Sequence, residues 1–227
     1  MGYHTDFDGQ FNCTPTLAPE HAAFIKQFCE TRRMKRNPKI AIKLADPIRE
    51  AVGLPIGVDG GNFVGGAGMA GQDRDESILG YNDPPEGQPG LWCQWTSNAS
   101  GDAIEWDGGE KFYNYVEWLN YLIDRYLEPW GYKLNGQVNW RGEDREDVGV
   151  IEVVDNKVSA HHGILTLNRL AEEFEESSFT SRQIDLIKSA VKFASLNAGE
   201  DEADQFETDV DSFRNELTEL YLTKFNN

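Results

Sequence analysis

The feature that most constrains the fold is a set of short segments in which apolar and polar residues alternate. Such alternation is typical of half-buried β-strands, because successive side chains point to opposite faces of a sheet. Short polar turns join neighbouring segments, which predicts antiparallel hairpins. The predicted strands are residues 3–13, 91–96, 103–107, 132–140 and 148–154, with a last short strand reaching Val158.

Two segments with apolar residues at helical spacing lie between these strands. The first begins at Pro19, which suits a first helical turn, and extends to about Arg33. The second runs from Phe112 to Leu127 and stops before Pro129. Strands joined as hairpins, with helices between them, predict an α+β fold in which two main helices pack on one face of an antiparallel sheet.

Two regions depart from this pattern. Residues 37–89 are rich in Gly and Pro and predict a long loop, which is one place where activity could reside. Residues 161–227 have helical periodicity and predict a C-terminal helical extension to an α+β domain of residues 1–160. A narrow apolar seam in this extension either docks on the chain's own helices or binds a partner; its residues are Phe206, Val210, Phe213, Leu217 and Leu220.

The charge of the chain is strongly unbalanced, with 39 acidic and 21 basic residues and a formal net charge of −18. Direct nucleic-acid binding is disfavoured, because affinity for phosphates depends on Lys and Arg that displace counterions. Two interpretations remain open. The charge provides solubility, including in a salty habitat, or it forms an acidic surface that binds a basic protein partner.

The three cysteines, Cys13, Cys29 and Cys93, are isolated in the sequence and form no CxxC pair. Their number and spacing argue against a disulfide framework or a zinc site and suit a reducing compartment. The N-terminal residues lack the basic and apolar blocks of a signal peptide, and no apolar run approaches a membrane span. A cytoplasmic protein without a membrane partner is predicted.

The sharpest candidate for a ligand site is the segment from Trp92 to Glu110. In a strand, Glu105 and Asp107 share a face, Glu110 follows a pair of glycines, and Trp92 and Gln94 lie on the facing strand. Three carboxylates beside aromatic rings could bind a cation, a sugar or a base, or act as acid and base. The alternative is an ordinary solvated acidic face of an antiparallel sheet.

Residues 66–71 match the GxGxxG dinucleotide fingerprint, but acidic residues follow them and no βαβ unit surrounds them. A flexible loop is the preferred interpretation. The sequence contains no GxSxG, HExxH or Walker motif, so it predicts no catalytic residue, cofactor or metal site and favours a protein that is not an enzyme.

Several short runs together resemble an uncharacterised family of hypothetical proteins from bacterial and phage genomes. The resemblance implies a bacterial cell or a phage-infected cell as the setting and assigns no activity and no catalytic residue. It covers roughly residues 1–160 and is carried by Gly2–Gly9, Pro89–Trp95, Glu105–Tyr113, Gly131–Tyr132, Leu134–Gly136 and Trp140–Glu143.

The sequence therefore predicts a non-enzymatic accessory protein that binds another protein through its acidic surface or its C-terminal helices. A small-ligand binding protein or hydrolase that uses the Trp92–Glu110 face is the first alternative. A structural component of a virion is the second. The sequence does not determine the oligomeric state.

Overall fold

The computed structural model describes residues 2–65, 75–144 and 147–163. The chain divides into two units after Ala160, and the first of these holds almost all the described residues. The predicted helical extension, with its apolar seam at Phe206, Val210, Phe213, Leu217 and Leu220, lies outside the described residues. The GxGxxG-like segment, residues 66–71, also lies outside them.

Strands and helices alternate irregularly along the first unit. Its first half contains β1 (Thr5–Thr14), α1 (Pro19–Glu30), β2 (Lys35–Arg36), α2 (Pro38–Ala41), α3 (Pro47–Ala51), a 3₁₀ turn (Val58–Gly60) and β3 (Ile78–Gly80). The second half contains β4 (Trp95–Ser97), β5 (Ala103–Trp106), α4 (Tyr115–Leu122), a π-helical turn (Ile123–Leu127), β6 (Lys133–Gly142), β7 (Val148–Val154) and β8 (Lys157–His162), the last strand continuing past Ala160.

Six of the strands form one sheet in the order β4-β5-β1-β6-β7-β8, and β2 and β3 form a separate pair. The central pair is antiparallel and continuous, since all ten residues of β1 face β6, from Thr5 opposite Gly142 to Thr14 opposite Lys133. The pairs β4–β5, β1–β5 and β6–β7 are also antiparallel. The predicted α+β class with an antiparallel sheet is confirmed.

Alternation along the strands separates a buried face from a polar one, as the period-two pattern predicts. On β1, Phe11 and Cys13 are buried while Gln10 and Asn12 are exposed. Leu134, Val138, Ile151 and Val153 continue the buried face on β6 and β7 and belong to the same apolar cluster as residues of α1 and α4.

Aromatic side chains join the two longer helices. Phe28 of α1 meets Trp118 of α4 with ring centroids 5.9 Å apart, and Phe24 meets Tyr126 at 5.0 Å, both edge-on. Each such pair contributes about 0.5–1.5 kcal/mol beyond the area it buries. The predicted second helix changes to π geometry after Leu122, where Glu128 N–H bonds to Ile123 O, and this turn brings Tyr126 into the core.

Between α1 and β4 the described residues form short helices, a 3₁₀ turn and the β2–β3 pair. All of these except β2, which comes just before, lie within residues 37–89, whose composition predicts a long loop. Arg33 fixes part of this segment from the interior. Its guanidinium donates to Gln88 Oε1 at 3.0 Å, to Phe63 O at 2.8 Å and to Gly61 O at 2.8 Å. Hydrogen bonds from this buried side chain therefore hold Gly61, Phe63 and Gln88 close to the end of α1.

The described part of the chain contains no helix that is long and apolar enough to span a membrane.

The imidazole of His21 lies in a partly buried aromatic site. It stacks on Trp130 with centroids 4.0 Å apart and planes 1° from parallel, and its Nδ1 lies 2.8 Å from the Tyr132 hydroxyl. That hydroxyl also accepts from Ala18 N–H at 3.0 Å. Desolvation lowers the pKa of His21, against a smaller raising effect of Glu20.

The lowered pKa of His21 predicts a pH-dependent contribution to stability. An unfolded histidine titrates near pH 6.5, whereas the folded one takes up its proton only at lower pH, so the neutral ring stabilises the fold fully above about pH 6.5. This contribution is lost as the pH falls towards the folded pKa. Chemical denaturation at several pH values should show wild type losing stability relative to His21→Gln over this range, and parallel curves would contradict the assignment.

Candidate functional site

The segment from Trp92 to Glu110 forms a closely bonded turn around Gln94, which is only 8% exposed. The Gln94 amide donates to Glu110 O at 2.9 Å and accepts from Trp106 Nε1 at 3.1 Å. The Asp107 carboxylate accepts from Gly109 N–H at 2.7 Å through Oδ1 and from the Cys29 thiol at 3.1 Å through Oδ2. Gln94 and Asp107 therefore use their polar atoms within the protein.

The other predicted residues of this site are dispersed around the turn. Strand β4 begins at Trp95 and β5 ends at Trp106, so Trp92, Gln94 and Asp107 lie just beyond the strand ends. Glu105 pairs with Thr96 and lies on the face opposite the buried Trp95. Trp92 lies beside Arg32, whose guanidinium carbon is 5.9 Å from the ring centroid.

The chemistry that this turn can support follows from its protonation states. Burial raises the pKa of the Cys29 thiol well above its ordinary value and raises the pKa of Cys93 to about 12. A thiol is nucleophilic only as the thiolate, so neither cysteine is an activated nucleophile at neutral pH. Among the described residues no group of three or more His, Cys, Asp or Glu side chains is placed to hold a metal ion.

A second group of carboxylates lies at one end of the sheet, where β1 begins and β6 ends. We call it the acidic rim; its residues are Asp6, Asp8, Glu143 and Asp144, all exposed. Among the described residues, the exposed Arg141 is directly opposite Asp6 and places one cation beside these four carboxylates. The rim therefore presents more negative than positive charge to solvent.

The acidic rim has a defined shape because the N-terminal residues are tied to the β6–β7 turn. His4 N–H donates to Glu143 Oε1 at 2.9 Å, and the His4 ring lies 3.0 Å from Asp6 Oδ1. The Tyr3 hydroxyl accepts from Asp144 N–H at 3.1 Å and donates to Asp147 Oδ2 at 2.7 Å. These contacts hold the rim as an ordered surface rather than a loose loop.

The rim continues into the polar face of the sheet. Exposed amide and charged side chains alternate there with buried ones, and they are Gln10 and Asn12 of β1 and Gln137, Asn139 and Arg141 of β6. Amides both donate and accept hydrogen bonds, so this face can pair with polar groups of a partner without a change in protonation.

Charge is distributed unequally between the interior and the surface. Residues 1–160 carry 25 acidic and 15 basic side chains. Three of the basic ones, Arg33, Arg36 and Arg49, are 1%, 1% and 6% exposed, whereas Asp46 is the one buried carboxylate in the described ranges. Because the buried cations cannot contact a partner, the accessible surface is more acidic than the formal charge of this unit.

Sequence reasoning did not find the rim as a unit, because Asp6 and Glu143 are far apart in the chain and meet only through the β1–β6 pairing. It also missed a polar groove on the outer side of α4. The signal for the groove is present in the sequence, since Glu117, Tyr121 and Asp124 recur at the spacing of one helical face.

A scan against protein-family models matches no family, and searches of curated proteins and of solved structures give no match.

Proposed function

We propose that this chain is a non-enzymatic accessory protein that binds a basic protein through the acidic rim and the adjoining polar sheet face. The observation that carries the proposal is the charge distribution: the exposed rim is acidic, while three arginines of the same unit are buried. Complementary charge speeds encounter and selects partners of opposite sign. The same field opposes binding to nucleic acid.

The proposal takes both longer helices to lie on one face of the sheet, so that the other face is available to the partner. Contacts between Phe28 and Trp118, and between Phe24 and Tyr126, support this arrangement. The exposed carboxylates of Asp6 and Asp8, on the opposite side of β1 from Phe11, support it as well. A bacterial or phage-infected cytoplasm is the setting that we propose.

Affinity capture with matched charge variants tests the proposal. Tagged full-length chain is incubated with bacterial lysate, with and without phage infection, and washed at increasing salt before mass spectrometry. Wild type is expected to retain a stoichiometric basic protein that is released as the salt rises. The triple variant Asp6→Asn, Asp8→Asn and Asp144→Asn is expected to lose it, because three of the four rim carboxylates are neutralised.

The control carries Glu20→Gln, Glu86→Gln and Glu128→Gln, which are exposed positions outside the rim. It changes the net charge by the same amount and should keep the partner. Capture of no protein by wild type would overturn the proposal. Equal loss in both variants would show that net charge, and not the rim, is responsible, which would also overturn it.

A further inference from the structure

A groove with a volume of about 600 Å³ lies between Gly87–Pro89 and the outer side of α4 with its π turn. Small-molecule sites typically enclose about 300–1,000 Å³, so the groove can hold a ligand of amino-acid size or larger. Three exposed charged side chains line it, Glu117 on α4 and Asp124 and Arg125 on the π turn. The lining therefore offers both signs of charge to a ligand.

These three charges are not used within the described part of the protein. Neither carboxylate forms an ion pair with another described residue, and the guanidinium of Arg125 forms none either. Asp124 and Arg125 are consecutive, and consecutive residues of a helix do not face each other. A ligand that enters the groove can therefore pair with all three groups without displacing an internal ion pair.

The two carboxylates have a defined spacing. Glu117 and Asp124 are seven residues apart, close to two helical turns, so their Cα atoms lie on one face of the helix about 10 Å apart along its axis. Tyr121 lies between them in the sequence and also lines the groove. The groove thus has a negative charge at one end, and a negative charge beside a positive one at the other end.

The middle of the groove contains an aromatic ring that is held in place. The ring of Tyr121 stacks on Phe28 with centroids 6.1 Å apart. It also meets Trp118 at 5.6 Å and Tyr126 at 5.9 Å, both edge-on. A fixed ring offers an apolar surface to the methylene groups of a ligand.

The facing wall of the groove is held rigidly from behind. Gln88 is 7% exposed, accepts from Arg33 Nε at 3.0 Å and donates to Gly61 O at 2.7 Å. Its amide also donates to the Tyr121 hydroxyl at 3.0 Å, which joins this wall to α4. A wall fixed by buried hydrogen bonds is preorganised, and preorganisation reduces the entropy lost on binding.

The end of the groove with both charges belongs to the π turn, Ile123–Leu127. Glu128 N–H bonds to Ile123 O at 2.9 Å, five residues back instead of four. Single π turns inside α-helices occur frequently at functional sites. This backbone feature is independent of the charges and points to the same end of the groove.

The charges define the class of ligand. A ligand that satisfies all three needs two cationic groups and one anionic group, with the anionic group next to one of the cations. An α-amino acid carries an ammonium and a carboxylate on one carbon atom, and lysine or arginine adds a second cation at the end of an apolar chain. Six bonds of about 1.5 Å join the two nitrogens of lysine, and hydrogen bonds of about 2.8 Å at both ends extend its reach to the separation of Glu117 and Asp124.

We propose that this groove binds a free basic α-amino acid, lysine or arginine. The α-carboxylate of the ligand accepts from Arg125, and its α-ammonium donates to Asp124. Its side-chain cation donates to Glu117, while its methylene groups lie over the ring of Tyr121. The site is distinct from the acidic rim and from the Trp92–Glu110 turn, and it does not depend on the proposed protein partner.

Titration followed by ¹H–¹⁵N NMR on the full chain tests the inference with matched ligands. L-lysine and L-arginine are compared with norleucine, which has the carbon chain of lysine without the side-chain ammonium, and with cadaverine, which lacks the carboxylate. We expect lysine and arginine to shift the backbone amide signals of α4 and the π turn saturably. Norleucine and cadaverine should each bind about fivefold more weakly than lysine, because each loses one ion pair.

Two variants assign the two ends of the groove. Glu117→Gln should lower the affinity for lysine to about that for norleucine and leave the affinity for norleucine unchanged. Arg125→Gln should weaken the binding of lysine and norleucine but not that of cadaverine, which has no carboxylate. Glu128→Gln, at an exposed position outside the groove, is the matched control and should bind every ligand as wild type does.

Three results would overturn this inference: neither lysine nor arginine shifts the signals of α4 and the π turn, norleucine or cadaverine binds as tightly as lysine, or each variant weakens all ligands equally. The triple rim variant separates the two proposals, because it should retain the lysine response whether or not a protein partner is captured.

Discussion

Arg33→Ala is expected to lower the free energy of unfolding by about 3–5 kcal/mol, because it leaves buried acceptors unpaired and creates a cavity. The guanidinium is fully buried and lies 4.1 Å above the ring of Phe28. Without it, Phe63 O and Gln88 Oε1 lose a donor, whereas Gly61 O keeps the one from Gln88. Urea denaturation followed by circular dichroism measures the loss.

The adjacent arginine provides a matched control. Arg32 is only partly buried and donates to Tyr81 O at 3.2 Å and to Asn82 Oδ1 at 2.9 Å. Since solvent can replace these contacts, Arg32→Ala should cost about 1 kcal/mol or less. Equal costs for the two variants would show that the network around Arg33 contributes little.

Arg33→Lys separates the role of charge from that of hydrogen bonding. Desolvation lowers the pKa of Arg33. Its hydrogen-bond acceptors in the described part of the chain are carbonyl oxygens rather than carboxylates. The buried charge is therefore costly, and Arg33 stabilises the fold through the planar set of N–H donors. An ammonium group cannot reach three acceptors in fork geometry, and lysine should recover less than half of the loss. Full recovery by lysine would contradict this account.

The two arginines also show where sequence reasoning ends. Arg32 and Arg33 are identical neighbours, and only the tertiary structure places one in the core and the other near solvent. The same limit applies to Gln94, whose structural role depends on Glu110 and Trp106 meeting across a hairpin. A polar side chain in a core needs hydrogen-bond partners that are distant in the sequence. A local sequence pattern does not reveal these partners.

The framework of the sheet, in contrast, was predictable from local patterns. Alternation over residues 3–13 and 132–140 predicted β1 and β6, because one side of each strand is buried and the other faces water. Prolines and glycines marked the start of α1 and the end of the second helix. The change to π geometry after Leu122 was not predictable, since a period of 3.6 residues fits the same apolar positions nearly as well.

The acidic rim and the groove were predictable in part. Net charge indicated an acidic surface, but not that carboxylates would gather at one end of the sheet. That arrangement depends on the register of β1 and β6, which places Asp6 opposite Arg141 and so brings the start of β1 to the end of β6. The groove required the placement of Gly87–Pro89 over α4. The sequence of residues 37–89 shows only a short periodic stretch, Ile40 to Val52, which lies too far from Gly87 along the chain to indicate that placement.

Gly136→Ala is expected to destabilise the fold by about 3 kcal/mol or more, because a side chain there both strains the backbone and clashes with the neighbouring strand. Gly136 has φ +147°, and a Cβ would lie 2.7 Å from Gln10 O on β1. Backbone atoms of the central strand pair cannot move aside without breaking ladder hydrogen bonds. Urea denaturation of the purified variant gives the cost.

Gly53→Ala isolates the conformational part of this effect. Gly53 has φ +67°, and no atom of another described residue, apart from its chain neighbours, lies within 4 Å of the position that a Cβ would take. Alanine there should therefore cost only about 1–2 kcal/mol of backbone strain. Gly9 adds an independent check, since its Cβ would lie 2.6 Å from Gln137 O across the same strand pair. Gly9→Ala and Gly136→Ala should each lower the free energy of unfolding more than Gly53→Ala does. If they do not, β1 and β6 can separate locally, and the ten-residue pairing that positions the acidic rim is less rigid than its geometry implies.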